Sequence, residues 1–254
     1  VNKRIAVGVG NTSVQFAQFD TIAPNSIPVP DWHHSVPVDS TLSKIELPDA
    51  PASDCRWVVA SVNQEAAQQV ERWAKSNWQP ASYESLARTD FPITINIRQP
   101  DRVGRDRIAA AVAVNQVRTP DRSILFVDAG TAITVNAINA EGHFVGGAIL
   151  PGTLIASRAL NTWTEQLPCV SVDWRRETSS PEPIGNSTEA ALESGIYWSA
   201  IGAVRELVQH MSHKMGDNPP LFITGGFGQH LAQHIKEAQH VPHLVVAGIA
   251  LSCE

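Results

Sequence analysis

Residues 124–152 read ILFVDAGTAITVNAINAEGHFVGGAILPG, and the fold is decided there. The stretch opens with a short apolar run, Ile124 to Val127, and breaks at Asp128-Ala129-Gly130-Thr131-Ala132. It resumes as an alternating run from Ile133 to Ile138. This is the pattern of a strand, a tight turn and a second strand. A turn of small residues lets backbone N–H groups approach an anion closely, Thr131 adds a hydroxyl, and Asp128 can hold a cation or a water beside the anion. An ordinary hairpin that uses Asp and Gly for their backbone geometry accounts for the same letters.

A second copy of the pattern argues for the anion cradle. Residues 5–16 read IAVGVGNTSVQF, and aligning Gly10 with Gly130 at an offset of 120 residues places Val7 on Val127, Asn11 on Thr131 and Thr12 on Ala132. Two such units opening two halves of a chain predict an internally duplicated α/β protein, with the ligand expected in the cleft between the halves. The alignment also exposes a difference, because Gly8 stands where the second copy has Asp128.

Further along the chain, RWVVAS (56–61) reads as a buried strand feeding a helix over 63–78, with Ala66, Val70, Trp73 and Ala74 at helical spacing. Residues 93–97 read as another strand. Residues 20–54 are rich in Pro, Asp and Ser; only 44–47 resembles a strand, and His33-His34 is expected in a solvated loop. The segment Gly104-Arg105-Asp106-Arg107 runs into a helix with Ile108, Ala111, Val112 and Asn115 on one face. An acid in a first helical turn serves the helix macrodipole. At this position it can equally act as a general base toward a substrate hydroxyl, with Arg107 binding a carboxylate or phosphate through two N–H groups.

A domain boundary is expected near Thr119-Pro120-Asp121, giving domains 1–118 and 119–254. In the second, residues 143–149 make a strand broken by Gly146-Gly147, and Pro151-Gly152 turns into a helix over 153–160. Gly185 to Thr188 caps a long helix over 189–210, whose Ala190, Ala191, Ser194 and Gly195 leave one face small. The strand 221–223 ends in Thr224-Gly225-Gly226 and leads into a helix over 229–238. His230 and His234 have the i, i+4 spacing of a zinc pair, but no third ligand accompanies them. The chain closes with Leu244 to Val246 and a helix over 248–251.

Composition limits the functional classes. The chain of 254 residues is 43% hydrophobic and 17% charged with a formal net charge of −6, so no overall basic field recruits nucleic acid. No apolar run nears the roughly 20 residues that cross a bilayer. The first residues lead straight into a strand without a signal-peptide core. Three scattered cysteines have no metal or redox spacing, and a cytoplasmic protein with reduced thiols is expected.

Taken together, the DAGTA turn (128–132), GGAILPG (146–152), the NST segment (186–188), TGG (224–226) and GRDR (104–107) resemble the type III pantothenate kinase family, in order and over essentially the whole chain. The resemblance implies two ribonuclease-H-like α/β domains of the actin-like, sugar-kinase ATPase superfamily and a homodimer. It also implies transfer of the ATP γ-phosphoryl group to the terminal hydroxyl of pantothenate, with Mg2+ and a monovalent cation, K+ or NH4+. Carried over by motif, Asp106 resembles the family's base and Arg107 the residue that holds the pantothenate carboxylate, within a substrate segment that includes Gly104 and Arg105. Gly147 and Thr188 match positions on the pantothenate side. The positions of Gly8, Gly10, Asn11 and Thr12 match the first phosphate loop, and Gly130 and Thr131 the second. Asp128 belongs to that second motif, near the nucleotide and the monovalent cation, and is expected to hold the metal. Thr224, Gly225 and Gly226 match the motif that flanks adenosine.

Two positions depart from the family. Gly8 replaces the Asp of its D-x-G-N-T loop, and Ile97 stands where it often has Tyr. The first departure motivates an alternative, a catalytically impaired member acting as a binding or transcription-accessory protein like the Bvg accessory factor branch.

Overall fold

A computed structural model describes residues 3–39, 47, 55–171, 174, 179–216 and 218–253. The strand expected at 44–47 lies outside the described residues except for Leu47, which is buried. The chain divides into two compact units. The first comprises residues 1–119, 142–144 and 243–254, and the second 120–141 and 145–242. The expected domains 1–118 and 119–254 are continuous in sequence, whereas the first compact unit also takes residues 142–144 and 243–254.

In the first unit, β1 (Arg4–Val9) pairs antiparallel with β2 (Ser13–Phe19), which pairs antiparallel with β3 (Trp32–Pro37). On its other side β1 pairs parallel with β4 (Arg56–Ser61), and β4 with β5 (Ser82–Ser85). The sheet order is therefore β3-β2-β1-β4-β5. Side chains alternate across β1. Ile5, Val7 and Val9 face a core with Phe16, Trp57 and the buried stripe Ala66, Val70, Trp73 and Ala74 of α1 (Gln64–Asn77). Phe16, Trp57 and Trp73 meet edge to face, with Phe16 and Trp73 centroids 5.6 Å apart. Asn63 caps α1, its side chain accepting the Ala66 N–H at 3.1 Å.

The opposite face of β1 meets α6 (Leu244–Leu251), a single helix that includes both closing segments expected from the sequence. Helix α2 (Arg105–Asn115) packs on α6 so closely that a Cβ on Gly248 would lie 1.7 Å from the Ala109 carbonyl oxygen. Every residue from Ile108 to Val114 is consequently buried, where the sequence indicated one apolar face.

Two expectations for this unit change, and one strand is unexpected. His33 and His34 lie in β3 rather than a loop, because pairing with β2 supplies partners that the polar sequence does not announce. Residues 93–97 form no strand. Between Pro92 and Pro100 the chain bends on either side of one parallel bridge, Ile95 with Phe144. The polar SYES of β5 is a strand by virtue of β4.

The second unit repeats the plan. Strands β6 (Ile124–Ala129), β7 (Ala132–Ile138), β8 (Phe144–Pro151), β9 (Leu221–Thr224) and β10 (Ala238–His240) are ordered β10-β9-β6-β7-β8, the same arrangement read from the other end. Here too the first two strands are antiparallel and the first and fourth parallel. Each unit is thus built on one mixed five-stranded sheet, the duplicated α/β architecture expected from the sequence. Strand β8 runs through Gly146-Gly147 without a break.

Helix α3 spans Thr153–Trp163, and α4 spans Thr188–Met215, beyond the expected end at His210. Ser187 Oγ accepts the Ala190 N–H at the start of α4, and Gly216 ends it in the left-handed conformation (φ 75°). Tyr197, Ile201 and Val204 of α4 pack on Leu125, Val127, Ile133 and Val135. Helix α5 (Gly228–His234) is shorter than expected, because Glu237 reverses the chain at φ 65° and β10 pairs with β9.

Candidate active site

The duplicated hairpins differ by one residue. Val9 pairs with Val14 across a four-residue turn, and Ala129 with Ile133 across three residues. Before the turns the register is equivalent, so Gly8 opposite Gln15 occupies the place of Asp128 opposite Thr134. Gly10 N–H donates to the Ser13 carbonyl at 2.9 Å, closing the first turn, with Asn11 and Thr12 exposed at its tip. Gly130 N–H donates to the Ala132 carbonyl at 3.1 Å, with Gly130 exposed and Thr131 half-buried.

In the second unit three glycine turns meet at Gly130. A Cβ on Gly152 would lie 2.2 Å from the Thr131 oxygen, and the Gly152 N–H donates to that oxygen at 3.2 Å. Gly225 has φ +91° and would place a Cβ 2.5 Å from the Ala129 carbonyl carbon, while the Phe227 N–H donates to the Ala129 oxygen at 3.1 Å. No side chain fits at either position. Thr224 is 2% exposed, so the outward part of its turn is Gly226. Gly147 is pressed on β7, where a Cβ would meet the Val135 oxygen at 2.0 Å. Thr188 is exposed at the start of α4, against whose first turn Gly185 is packed.

Asp128 is half-buried, and its Oδ1 lies 3.6 Å from the point where a Cβ of Gly130 would sit, so the carboxylate accompanies the turn. Mg2+ in nucleotide sites is held by one or two carboxylates plus phosphate oxygens, and Asp128 fits that requirement. Among the described residues no cluster of three or more His, Cys, Asp or Glu side chains is placed to hold a metal. His230 and His234 converge on the hydroxyl of Tyr197 at 3.1 and 3.0 Å, with Ser180 joining at 2.8 Å.

In the first unit Gly104 caps α2, and the Asp106 carboxylate folds back to accept the Arg107 N–H at 2.8 Å. Arg105 donates from its guanidinium to the Ser61 carbonyl at 3.0 Å, which fastens it to the end of β4. Arg107 is half-buried with its guanidinium carbon 5.4 Å from the centre of the Phe144 ring. Burial lowers its pKa, and the neighbouring Asp106 carboxylate opposes that shift. The seat that Phe144 provides was not read from the sequence; the available signal was an aromatic residue two positions before Gly146-Gly147.

A profile of the family described as type III pantothenate kinase matches residues 4–210. The type III pantothenate kinase of Legionella pneumophila (strain Corby) is 36% identical over 162 residues, covering 63% of this chain and 61% of that relative, which is less than two thirds of its length. The type III pantothenate kinase of Acidovorax ebreus is 31% identical over 255 residues, covering 96% of this chain and 94% of the relative. Among solved structures, a Campylobacter jejuni protein assigned to the Baf family of transcriptional activators aligns over 98% of this chain and 96% of its own. Its TM-score is 0.60 at 19% identity, a likeness of fold.

Proposed function

The chain belongs to the type III pantothenate kinase family, and from that membership we propose that it transfers the γ-phosphoryl group of ATP to the terminal hydroxyl of pantothenate. The product is 4'-phosphopantothenate, the first step toward coenzyme A. The observation that carries the reading is the meeting of the DAGTA, PG and TGG turns at Gly130, where glycines leave backbone exposed beside a carboxylate. Phosphoryl transfer asks a protein mainly for positioning and charge stabilisation, plus one group to receive the hydroxyl proton.

In this reading the Asp106 carboxylate takes the proton of the attacking hydroxyl and Arg107 holds the pantothenate carboxylate. Gly147 and Thr188 contribute to the pantothenate side. The turns at Gly10-Asn11-Thr12 and Gly130-Thr131 hold phosphates, and Thr224-Gly225-Gly226 flanks adenosine. Asp128 would hold the magnesium ion, which when bound neutralises phosphate charge. A potassium or ammonium ion would sit beside the same motif.

A homodimer is supported by apolar side chains left exposed on the second unit: Ile149 at 65%, Trp163 at 86% and Ile184 at 88%. A cytoplasmic setting is supported by three cysteines scattered without metal or redox spacing. The accessory-protein reading rests on Gly8 and is not favoured, since Asp106, Arg107 and Asp128 are retained.

The test is a coupled ATP-consumption assay with pantothenate, magnesium and either potassium or sodium, using Asp106→Asn as the blank. Pantothenate-dependent turnover that vanishes in the blank supports the assignment. Absence of turnover at millimolar ATP from folded protein refutes it.

A further inference from the structure

Phe144 is fully buried, and its backbone N–H and carbonyl are both held by the segment 94–96. Its N–H donates to the Thr94 carbonyl at 2.9 Å, and its carbonyl accepts the Asn96 N–H at 2.8 Å. The ring therefore has a fixed place, and the Arg107 guanidinium carbon lies over it at 5.4 Å. That separation is within the range of a cation–π contact, which strengthens where water is excluded.

An aromatic face attracts the charge of a guanidinium without supplying an acceptor. A fork seated before the ligand arrives also loses less freedom for each hydrogen bond it forms.

We propose that Phe144 is a positioning residue: it seats Arg107 so that the guanidinium fork meets the acceptor's carboxylate, and the pair selects an anionic acceptor over a neutral one. The inference rests on the reading that Arg107 binds that carboxylate. It assigns the extended segment 94–96 a role as well, since that segment holds Phe144 in register.

The experiment compares Phe144→Leu and Arg107→Ala with the wild type. Pantothenate and its neutral carboxamide analogue serve as acceptors, and ATP KM and thermal unfolding are followed in parallel. Phe144→Leu is expected to raise the pantothenate KM about ten-fold while the KM for the carboxamide and for ATP stay within about two-fold. Because a buried ring is being truncated, a second series replaces Phe144 with mono-, di- and trifluorophenylalanine, which keep its shape and weaken the π face stepwise. Pantothenate KM should climb along that series at constant Tm.

An equal rise for both acceptors, or a flat fluorine series, overturns the seat. If Arg107→Ala raises pantothenate KM and the Phe144 series does not, the carboxylate reading stands and the seat fails. If Arg107→Ala also leaves it unchanged, the carboxylate reading fails and the seat with it.

Discussion

Replacing Gly8 with Asp puts a carboxylate at the register position that Asp128 occupies in the second sheet. The structure accepts the side chain. Gly8 lies within a strand, and an added Cβ would meet Ile249 Cδ1 at 3.7 Å and the Cγ1 atoms of Val245 and Val246 at 3.8 Å, ordinary van der Waals contacts. Removing a strand glycine returns about 0.5–1 kcal/mol, and setting a half-exposed carboxylate beside aliphatic carbons offsets a similar amount. Stability should therefore change by less than about 1 kcal/mol. In the proposed reaction, a carboxylate at this position on the ATP-bound ion should stabilise the transition state by about 2.7 kcal/mol, or on the order of 10²-fold in rate. Kinetics at varied magnesium would compare wild type, Gly8→Ala and Gly8→Asp, with Mn2+ binding followed by electron paramagnetic resonance. The alanine variant fills the same space without the charge and should match wild type in both measurements. The aspartate variant should gain in kcat/KM and in Mn2+ affinity together. A folded Gly8→Asp protein with unchanged Mn2+ affinity and unchanged or lower kcat/KM would refute the reasoning.

Asp106→Asn should lower kcat by about 10³-fold or more, since an amide cannot receive the proton, while its oxygen can still accept the Arg107 N–H. Calorimetry should then find pantothenate affinity within about three-fold of wild type; lost binding with intact turnover at saturation would remove the base assignment. Gly225→Ala combines a positive φ with backbone overlap at Ala129, and should cost about 2–4 kcal/mol in chemical denaturation and raise ATP KM about ten-fold. An unaffected variant would contradict the close approach of the two turns. His33 lies against His243 with ring centres 4.3 Å apart and planes tilted by 37°, and burial with repulsion from His243 and His34 lowers its pKa from 6.5 to about 4. The unfolded chain therefore binds more protons between about pH 6.5 and pH 4, so stability falls as pH drops through that window and is retained above it. With partial exposure screening the effect, about 1–2 kcal/mol should be lost; urea melts at pH 7 and 4.5 should show a shallower loss in His33→Gln.

The elements legible from the sequence are those whose evidence lies within a dozen residues. Helix α1 shows its apolar spacing and its Asn63 cap, β4 its unbroken RWVVAS, and the start of α4 its Gly185-to-Thr188 segment. The elements that escaped are edge strands and one helix. The sequences WHHSVP of β3, SYES of β5 and AQH of β10 carry no strand pattern of their own; each is extended because a neighbouring strand offers its free backbone edge. Helix α6 is apolar around its whole circumference, so periodicity gives no sign of where it begins.

The candidate site divides the same way. Turn chemistry is local, so the sequence alone determined that DAGT, GVGNT, PG and TGG are small-residue turns at strand ends, and that Asp106 and Arg107 stand at the mouth of a helix. Tertiary structure decided that PG and TGG close on Gly130, that Arg105 is committed to the Ser61 carbonyl, and that Arg107 rests on Phe144. The reason is physical. A turn or a cap is satisfied by backbone groups a few residues away, whereas a glycine's close contact, a cation's seat or an edge strand's pairing depends on a partner dozens of residues distant. Folding alone brings that partner near.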